Sequence, residues 1–329
     1  MPLKERPTQP PARLDRRSRQ ALLTGIAAAL LLPATGLADP VTLERAPSGH
    51  LMVDVEIGTN GPYTFLLDTG ASHTAIAQPV AEALGFQSLW ENYGDVQSLT
   101  TRFSAERFAL QDLRFADLAP MSLNSVVIPV DRSQPHPVAG LLGADALPAH
   151  RYRVNFSEAT LTLDSAPPDH ADGWVSPQSL LIGQAELRRG MRGVRVLIDS
   201  GSARTLVNER LRNQIQHHSG GVTYNINGVE GRLQNELVAE ALPVVLRNLQ
   251  LGGLCLNSVT ALQADLDIFE ALDWGRMPAM VIGMDVLQFA TITVDREAGV
   301  FEISAAETRD ACDNGRAQAE APDNRRGRR

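Results

Sequence analysis

One phrase occurs twice in this chain of 329 residues. Phe65-Leu66-Leu67-Asp68-Thr69-Gly70-Ala71-Ser72 and Val196-Leu197-Ile198-Asp199-Ser200-Gly201-Ser202-Ala203 each run from apolar residues into Asp, then Thr or Ser, then Gly, then a small residue. The two aspartates lie 131 residues apart (199 minus 68). A single copy reads as a strand end and a turn. Two copies constrain the fold far more, because they call for a duplicated chain that brings two carboxylates to one shared site. Paired carboxylates at close range are a recurring way of doing acid–base chemistry with water.

The duplication extends beyond the phrase itself. Ala139-Gly140-Leu141-Leu142-Gly143-Ala144-Asp145-Ala146-Leu147 follows the first copy, and Ala279-Met280-Val281-Ile282-Gly283-Met284-Asp285-Val286-Leu287 follows the second. The separations from the aspartates are 75 residues (143 minus 68) and 84 (283 minus 199), one unit with loop variation. A third and weaker correspondence sets Gln111-Asp112-Leu113-Arg114-Phe115-Ala116 beside Asn248-Leu249-Gln250-Leu251-Gly252-Gly253. Each copy closes with a strand pair, 152–156 with 160–163 and 291–295 with 300–303.

Between these landmarks the pattern is mostly β. Leu51-Met52-Val53-Asp54-Val55-Glu56-Ile57 alternates apolar and polar, as a half-buried strand does, and Gly58-Thr59-Asn60-Gly61-Pro62 supplies a turn. Helical signals are few and short, at 78–84, 208–216 and 265–272. The expected fold class is therefore all-β with short helices, the repeat making two lobes. The Pro-containing polar stretch 167–174 reads as a linker between lobes at 39–166 and 175–304, and the charged tail 305–329 reads as disordered. Trp90, Trp174 and Trp274 read as packing residues.

Residues 1–38 form a separate object. A basic segment ending in Arg16, Arg17 and Arg19 precedes an apolar run from Ala21 to Leu32 and a small-residue stretch ending at Ala38. That is the layout of an export signal, by the general secretory or the twin-arginine route, so the mature protein is expected to be periplasmic or secreted. An uncleaved N-terminal membrane anchor is the alternative, although Gly25, Pro33 and Gly36 interrupt a run already short for a span. Cleavage removes a net +4 from a chain of net charge −8, leaving −12. No basic field then invites nucleic acid. Cys255 and Cys312 are either a disulfide or two separate thiols, and their spacing offers no metal site.

The paired Asp-[Thr/Ser]-Gly phrases, each followed by an apolar-apolar-Gly-x-Asp segment, resemble the aspartic peptidases of the pepsin and retropepsin type. The style is closest to bacterial retropepsin-like proteases, here with two lobes in one chain. The resemblance spans nearly the whole mature chain at the level of these landmarks. It implies a bilobal aspartic-protease fold, with two β-barrel-like lobes related by a pseudo-twofold axis, and an endopeptidase that hydrolyses a peptide or protein substrate in the interlobe cleft, without metal or cofactor. It implies that Asp68 and Asp199 are catalytic and share a proton; two carboxylates roughly 3 Å apart do not both ionise cheaply, a known property of aspartic proteases. Thr69, Gly70, Ser200, Gly201 and Ser202 are implied supports of the pair, Ser202 as a hydroxyl donor to Asp199 that Ala71 cannot match at Asp68.

Gly143 and Gly283 should pack behind the two turns, and Asp145 and Asp285 should cap the short helices that follow. Flap hairpins are expected at 92–101, with Tyr93 and Gly94, and at 223–233, with Tyr224 and Gly228. A monomer follows from having both half-sites in one chain, the alternative being a homodimer in which each lobe pairs with another chain. The alternative function is a weakly active or inactive peptide- or protein-binding module on the same fold.

Overall fold

The computed structural model describes residues 39–86, 93–116, 118–128, 138–147, 150–187, 190–215, 224–226 and 239–306, with backbone alone at 224–226 and 239–240. The stretch 1–38 read as an export signal, Trp90, Gly228, Cys312 and the tail beyond 306 lie outside the described residues.

The first half opens with β1 (Val41–Thr42), β2 (Glu44–Arg45), β3 (Leu51–Ile57), β4 (Asn60–Leu67), β5 (Ala75–Ala77) and α1 (Gln78–Ala83). It continues with β6 (Tyr93–Gln97), β7 (Arg102–Arg114), β8 (Met121–Ile128), β9 (Gly140–Leu142), a 3-10 turn at Ala144–Ala146, β10 (Arg151–Asn155) and β11 (Thr160–Leu163). The second half repeats the order. It contains β12 (Gly173–Val175), β13 (Leu181–Leu187), β14 (Met191–Ile198), β15 (Leu206–Val207), α2 (Glu209–Ile215) and β16 (Tyr224–Ile226). Then come β17 (Ala239–Leu251), β18 (Leu254–Gln263), α3 (Asp267–Ala271), β19 (Ala279–Ile282), α4 (Met284–Leu287), β20 (Ala290–Asp295) and β21 (Val300–Ala305). Gly173 and Trp174, at the end of the stretch read as a linker, already belong to β12.

Pairing closes each half into a six-stranded barrel. In the first, β3, β4, β9, β5, β8 and β7 pair in turn, and β7 returns to β3 through Glu56 opposite Arg114. In the second, β13, β14, β19, β15, β18 and β17 do the same, and Glu186 opposite Gln250 completes the ring. Parallel and antiparallel contacts match strand for strand. The strands β3 and β13 even share one burial pattern, with Val53, Val55 and Ile57, or Ala185 and Leu187, inward and Asp54 and Glu56, or Gln184 and Glu186, outward. Period-two alternation in the sequence thus fixes which face meets the core.

The lobes join through a shared sheet in the order β1, β11, β10, β20, β21, β12. Tyr152 faces Val294 and Val154 faces Ile292, with Arg153 opposite Thr293 between them. Exchanging the two halves converts one pair into the other, which puts the pseudo-twofold axis at Arg153 and Thr293. One core cluster runs through both halves and includes Phe65, Phe156, Leu161, Val294 and Phe301. The expectation of an all-β bilobal protein is met.

The weak third correspondence needs a correction of one residue. Asp112 and Asn248 both have positive φ (53° and 51°), as do Ala116 and Gly252 (51° and 53°), so Asp112 matches Asn248. Asp112 sits where the ladder to β8 slips, between Leu110 and Leu113, whereas the ladder from β17 to β18 keeps its register on either side of Asn248. The left-handed region favours Asp, Asn or Gly. With that register, Leu113 and Phe115 superpose on Leu249 and Leu251, all buried.

Trp174 also departs from expectation, being 39% exposed with the Arg195 guanidinium 5.5 Å above its ring, whereas Trp274 is buried. Cys255 is disulfide-bonded. Among the described residues no helix is long and apolar enough to cross a membrane.

Candidate active site

Asp68 and Asp199 each leave the barrel at the end of a strand held from both sides. Phe65 and Leu67, or Val196 and Ile198, are fully buried just before them, and each such side chain contributes about 1.5–3 kcal/mol of burial. The next strand takes the aspartate's own amide: Asp68 N–H donates to Leu142 O and Asp199 N–H to Ile282 O, both at 3.0 Å. The turn then closes on itself. Gly70 N–H donates to Asp68 Oδ1 and Gly201 N–H to Asp199 Oδ1, both at 2.9 Å.

Behind each turn runs the Gly-x-Asp segment. A Cβ on Gly143 would lie 2.5 Å from the His73 carbonyl carbon, and one on Gly283 2.5 Å from Arg204 O, so close approach demands glycine. Asp145 and Asp285 do not cap helices. Asp145 Oδ1 accepts from Thr74 N–H (2.8 Å) and Thr74 Oγ1 (2.7 Å), and Asp285 Oδ1 accepts from Thr205 Oγ1 (2.7 Å). Neither following turn has a side-chain cap bond. These carboxylates tie the chain leaving each turn to the segment packed behind it.

The two turns interlock across the axis. Thr69 N–H donates to Ser200 Oγ at 2.9 Å and Ser200 N–H to Thr69 Oγ1 at 3.0 Å. Each hydroxyl passes its own proton to the strand beneath the other turn, Ser200 Oγ to Leu67 O (2.7 Å) and Thr69 Oγ1 to Ile198 O (3.2 Å). Both side chains are buried. Every hydroxyl thereby donates once and accepts once, and the two lobes cannot shift without breaking all four bonds.

This interlock sets the carboxyl groups facing one another. A Cβ on Gly70 would fall 2.5 Å from Asp199 Cγ, and one on Gly201 2.5 Å from Asp68 Oδ2. The glycines are needed for that approach and not for backbone conformation, since neither has a positive φ. Asp68 is 8% exposed and Asp199 4%. Burial raises both carboxyl groups above the ordinary aspartate range, and the neighbouring Asp68 charge raises Asp199 further. They interact with each other directly and titrate as a pair. Burial and mutual repulsion both act against two charges at this position.

Ser202 departs from expectation. Its hydroxyl donates to Arg204 O at 2.8 Å instead of to Asp199. Asp199 has the backbone amides of Gly201 and Ser202 beside its carboxylate and Asp68 those of Gly70 and Ala71, while Gly201 also reaches Asp68 from the opposite turn. A second difference between the halves comes from outside the turns. His50, which belongs to no motif, reaches from the first lobe and bonds Gly201 O through Nε2 at 3.1 Å. Only its place in a Ser-Gly-His turn, polar and glycine-bearing, marked that stretch in the sequence.

The first flap region is a hairpin, β6 with β7, but Tyr93 and Gly94 sit at its open end opposite Glu106 and Ala105. The Arg107 guanidinium covers Gly94 (Nη2 2.8 Å from where a Cβ would lie). The tip is residues 98–101, pinned by Ser98 Oγ bonds to Thr100 N–H and Thr101 N–H. Leu99 at this tip packs against a second-lobe cluster containing Leu266, Ile268 and Phe269, and its carbonyl accepts Ile268 N–H at 3.2 Å. The hairpin thus spans from one lobe to the other. In the second half, Tyr224 lies on β16, paired with Ala241, and Gly228 lies outside the described residues. Among the described residues no group of three or more His, Cys, Asp or Glu side chains is placed to hold a metal ion.

The sequence profile of the aspartyl protease family matches this chain twice, over residues 53–146 and 185–286, more than half of its length. The chain belongs to the aspartyl protease family. The two matched stretches are the two barrels, each carrying one Asp-[Thr/Ser]-Gly turn and its Gly-x-Asp segment. No curated protein sequence matches this family member. Among solved structures it is similar to the aspartic proteinase from Irpex lacteus, with a TM-score of 0.48 and 14% identity over 78% of this chain and 94% of that one.

Proposed function

We propose that this aspartyl protease family member is an endopeptidase that hydrolyses peptide bonds with a water activated between Asp68 and Asp199. The observation that carries the reading is the interlock, which sets two buried carboxyl groups against each other's glycine turn. The ionised member of the pair takes a proton from the water as its oxygen attacks the scissile carbonyl carbon. The protonated member donates to the carbonyl oxygen, giving a neutral gem-diol. Collapse of that intermediate returns one proton to the pair while the other reaches the leaving nitrogen, and the C–N bond breaks. The pair ends with the single proton it began with, and no covalent intermediate forms. A peptide lying between the lobes, beneath the β6–β7 hairpin, is the substrate this arrangement accommodates.

Both carboxylates come from one chain, which supports one active site per monomer. The basic, apolar and small-residue layout of residues 1–38 supports export, to the periplasm or beyond. The test is cleavage of a peptide library by the mature protein and by Asp68→Asn and Asp199→Asn. The wild type should cleave and both variants should not. Equal cleavage by all three would reject the carboxylate pair as the catalytic group. Binding of peptides without cleavage by the wild type at any pH would reject the peptidase reading in favour of a binding module.

A further inference from the structure

The two halves of the carboxylate pair share their interlock, yet a side-chain contact from the first lobe reaches only one of the two turns. His50 closes the turn between β2 and β3, where Ala46 N–H donates to His50 O (2.9 Å) and Gly49 N–H to Ala46 O (2.8 Å). The second lobe repeats this turn between β12 and β13, with Ser176 N–H on Leu180 O (2.9 Å) and Ser179 N–H on Ser176 O (2.8 Å). Gly49 and Ser179 both have positive φ, at 90° and 65°. Leu180 is therefore the structural equivalent of His50. Leu180 packs into the second lobe's apolar cluster, where it has no polar group to offer.

The bond from His50 reaches a specific peptide unit. A carbonyl only accepts, so Nε2 carries the hydrogen in the contact with Gly201 O (3.1 Å). Nδ1 faces Ser48 Oγ at 2.8 Å, taking its proton when the ring is neutral and giving one when it is charged. The Nε2–H donor is thus present in both states. The N–H of the same peptide unit belongs to Ser202; it donates to the Asp199 backbone carbonyl at 3.3 Å and lies close enough to the Asp199 carboxylate to favour its charged form. Donation to a peptide carbonyl strengthens that peptide's own N–H as a donor. The Gly70–Ala71 peptide, which serves Asp68 in the same way, has Leu180 where Gly201–Ser202 has the histidine.

We propose that His50 is a positioning residue that makes the two halves of the carboxylate pair unequal, fixing the Asp199 turn from the opposite lobe and polarising the Gly201–Ser202 peptide toward the Asp199 carboxylate. The inference rests on the peptidase reading for its consequence in catalysis but not for its geometry. Burial holds His50 below the usual histidine range while its bond to Gly201 opposes this. The groups bonded to the ring are Ser48 from its own turn and Gly201 from the other lobe. Among the described residues no charged side chain is bonded to it.

The test compares full-length wild type with His50→Leu, which copies the other half, and His50→Gln, which keeps an N–H donor. The first readout is independent of turnover: the lower of the two pKa values of the pair, followed by 13C NMR of labelled aspartate carboxyl carbons. Losing the donor weakens stabilisation of the ionised pair, so His50→Leu should raise that pKa by about 0.5–1 unit, with His50→Gln recovering most of the shift. The acid limb of kcat/KM should move up with it, and kcat should fall about three- to tenfold while KM stays within about twofold. A shift below about 0.2 unit in His50→Leu, or equal behaviour of the Leu and Gln variants, would overturn the proposal. Should His50→Leu fail to fold, Ser48→Ala replaces it; it frees the ring and should give a smaller shift of the same sign, and no shift would overturn the proposal. The expected pKa shift in His50→Leu, together with a wild type that cleaves nothing, would uphold the role of His50 and reject the peptidase reading.

Discussion

Removing the Ser200 hydroxyl probes the interlock at its most buried point. Ser200→Ala deletes an oxygen that accepts Thr69 N–H at 2.9 Å and donates to Leu67 O at 2.7 Å, in a side chain with no solvent exposure. Both partners stay behind. Thr69 is 2% exposed and Leu67 is fully buried, so water has little access to either group. An unsatisfied buried donor or acceptor costs about 1–3 kcal/mol, and two of them give about 2–6 kcal/mol. For a chain of this size about 2–3 °C of Tm is lost per kcal/mol, so Tm should fall by about 4–18 °C. Urea unfolding with a fixed m-value should report the same free energy. Thr69→Ala should cost less, because one of its two bonds, to Ile198 O, is 3.2 Å long. Ser202→Ala is the control: it loses one bond, to Arg204 O, and should cost about 0.5–1.5 kcal/mol. If Ser200→Ala is no more destabilising than Ser202→Ala, the interlock does not hold the lobes together as argued.

Further predictions concern the carboxylates and the hairpin. Gly70→Ala puts a methyl group 2.5 Å from Asp199 Cγ; it should abolish cleavage while costing about 1–3 kcal/mol in unfolding, and retention of near-full activity would refute the facing geometry. The raised pKa values of Asp68 and Asp199 mean that the folded state binds more protons than the unfolded one above the unfolded value of 3.8. Stability should therefore fall as pH rises from there through the folded pKa values. Asp199→Asn relieves that penalty, so its Tm relative to wild type should gain most at neutral pH and least near pH 4, and a gain independent of pH would contradict it. Leu99→Ser should speed amide exchange at residues 98–101 without changing it in β3 and β4, since the hairpin tip is held by second-lobe packing and one bond to Ile268; unchanged exchange would show that the tip contact is not what holds it.

What was legible in the sequence was what repeats locally. The alternating residues of β3, the apolar run into Asp68, and the Gly-x-Asp segments each announce themselves within a few residues, and the duplication confirms them. Pairings across long separations did not. Asp145 and Asp285 looked like caps because each sits at the start of a helical turn, but their partners, Thr74 and Thr205, are 71 and 80 residues earlier. The type of Ser202 points to the neighbouring carboxylate, but the Arg204 carbonyl takes its hydroxyl. The flap region reads as a hairpin, yet Tyr93 and Gly94 stand out in composition while the tip residue Leu99 reads as ordinary. His50 was invisible for the plainest reason: its partner, Gly201, is 151 residues away and contributes only a carbonyl.

The central claim is that Asp68 and Asp199 act as one unit, and the pH dependence of kcat/KM on a single cleaved peptide tests it most directly. Wild type, Asp68→Asn and Asp199→Asn should be measured over the same range with the same peptide. The wild type should give a bell whose acid limb is uptake of a second proton and whose basic limb is loss of the shared one. Each single variant should fall by at least about 10³-fold at every pH, since neither carboxyl can serve as both base and acid. A variant that keeps activity within about tenfold of wild type, with its own bell intact, would contradict the claim.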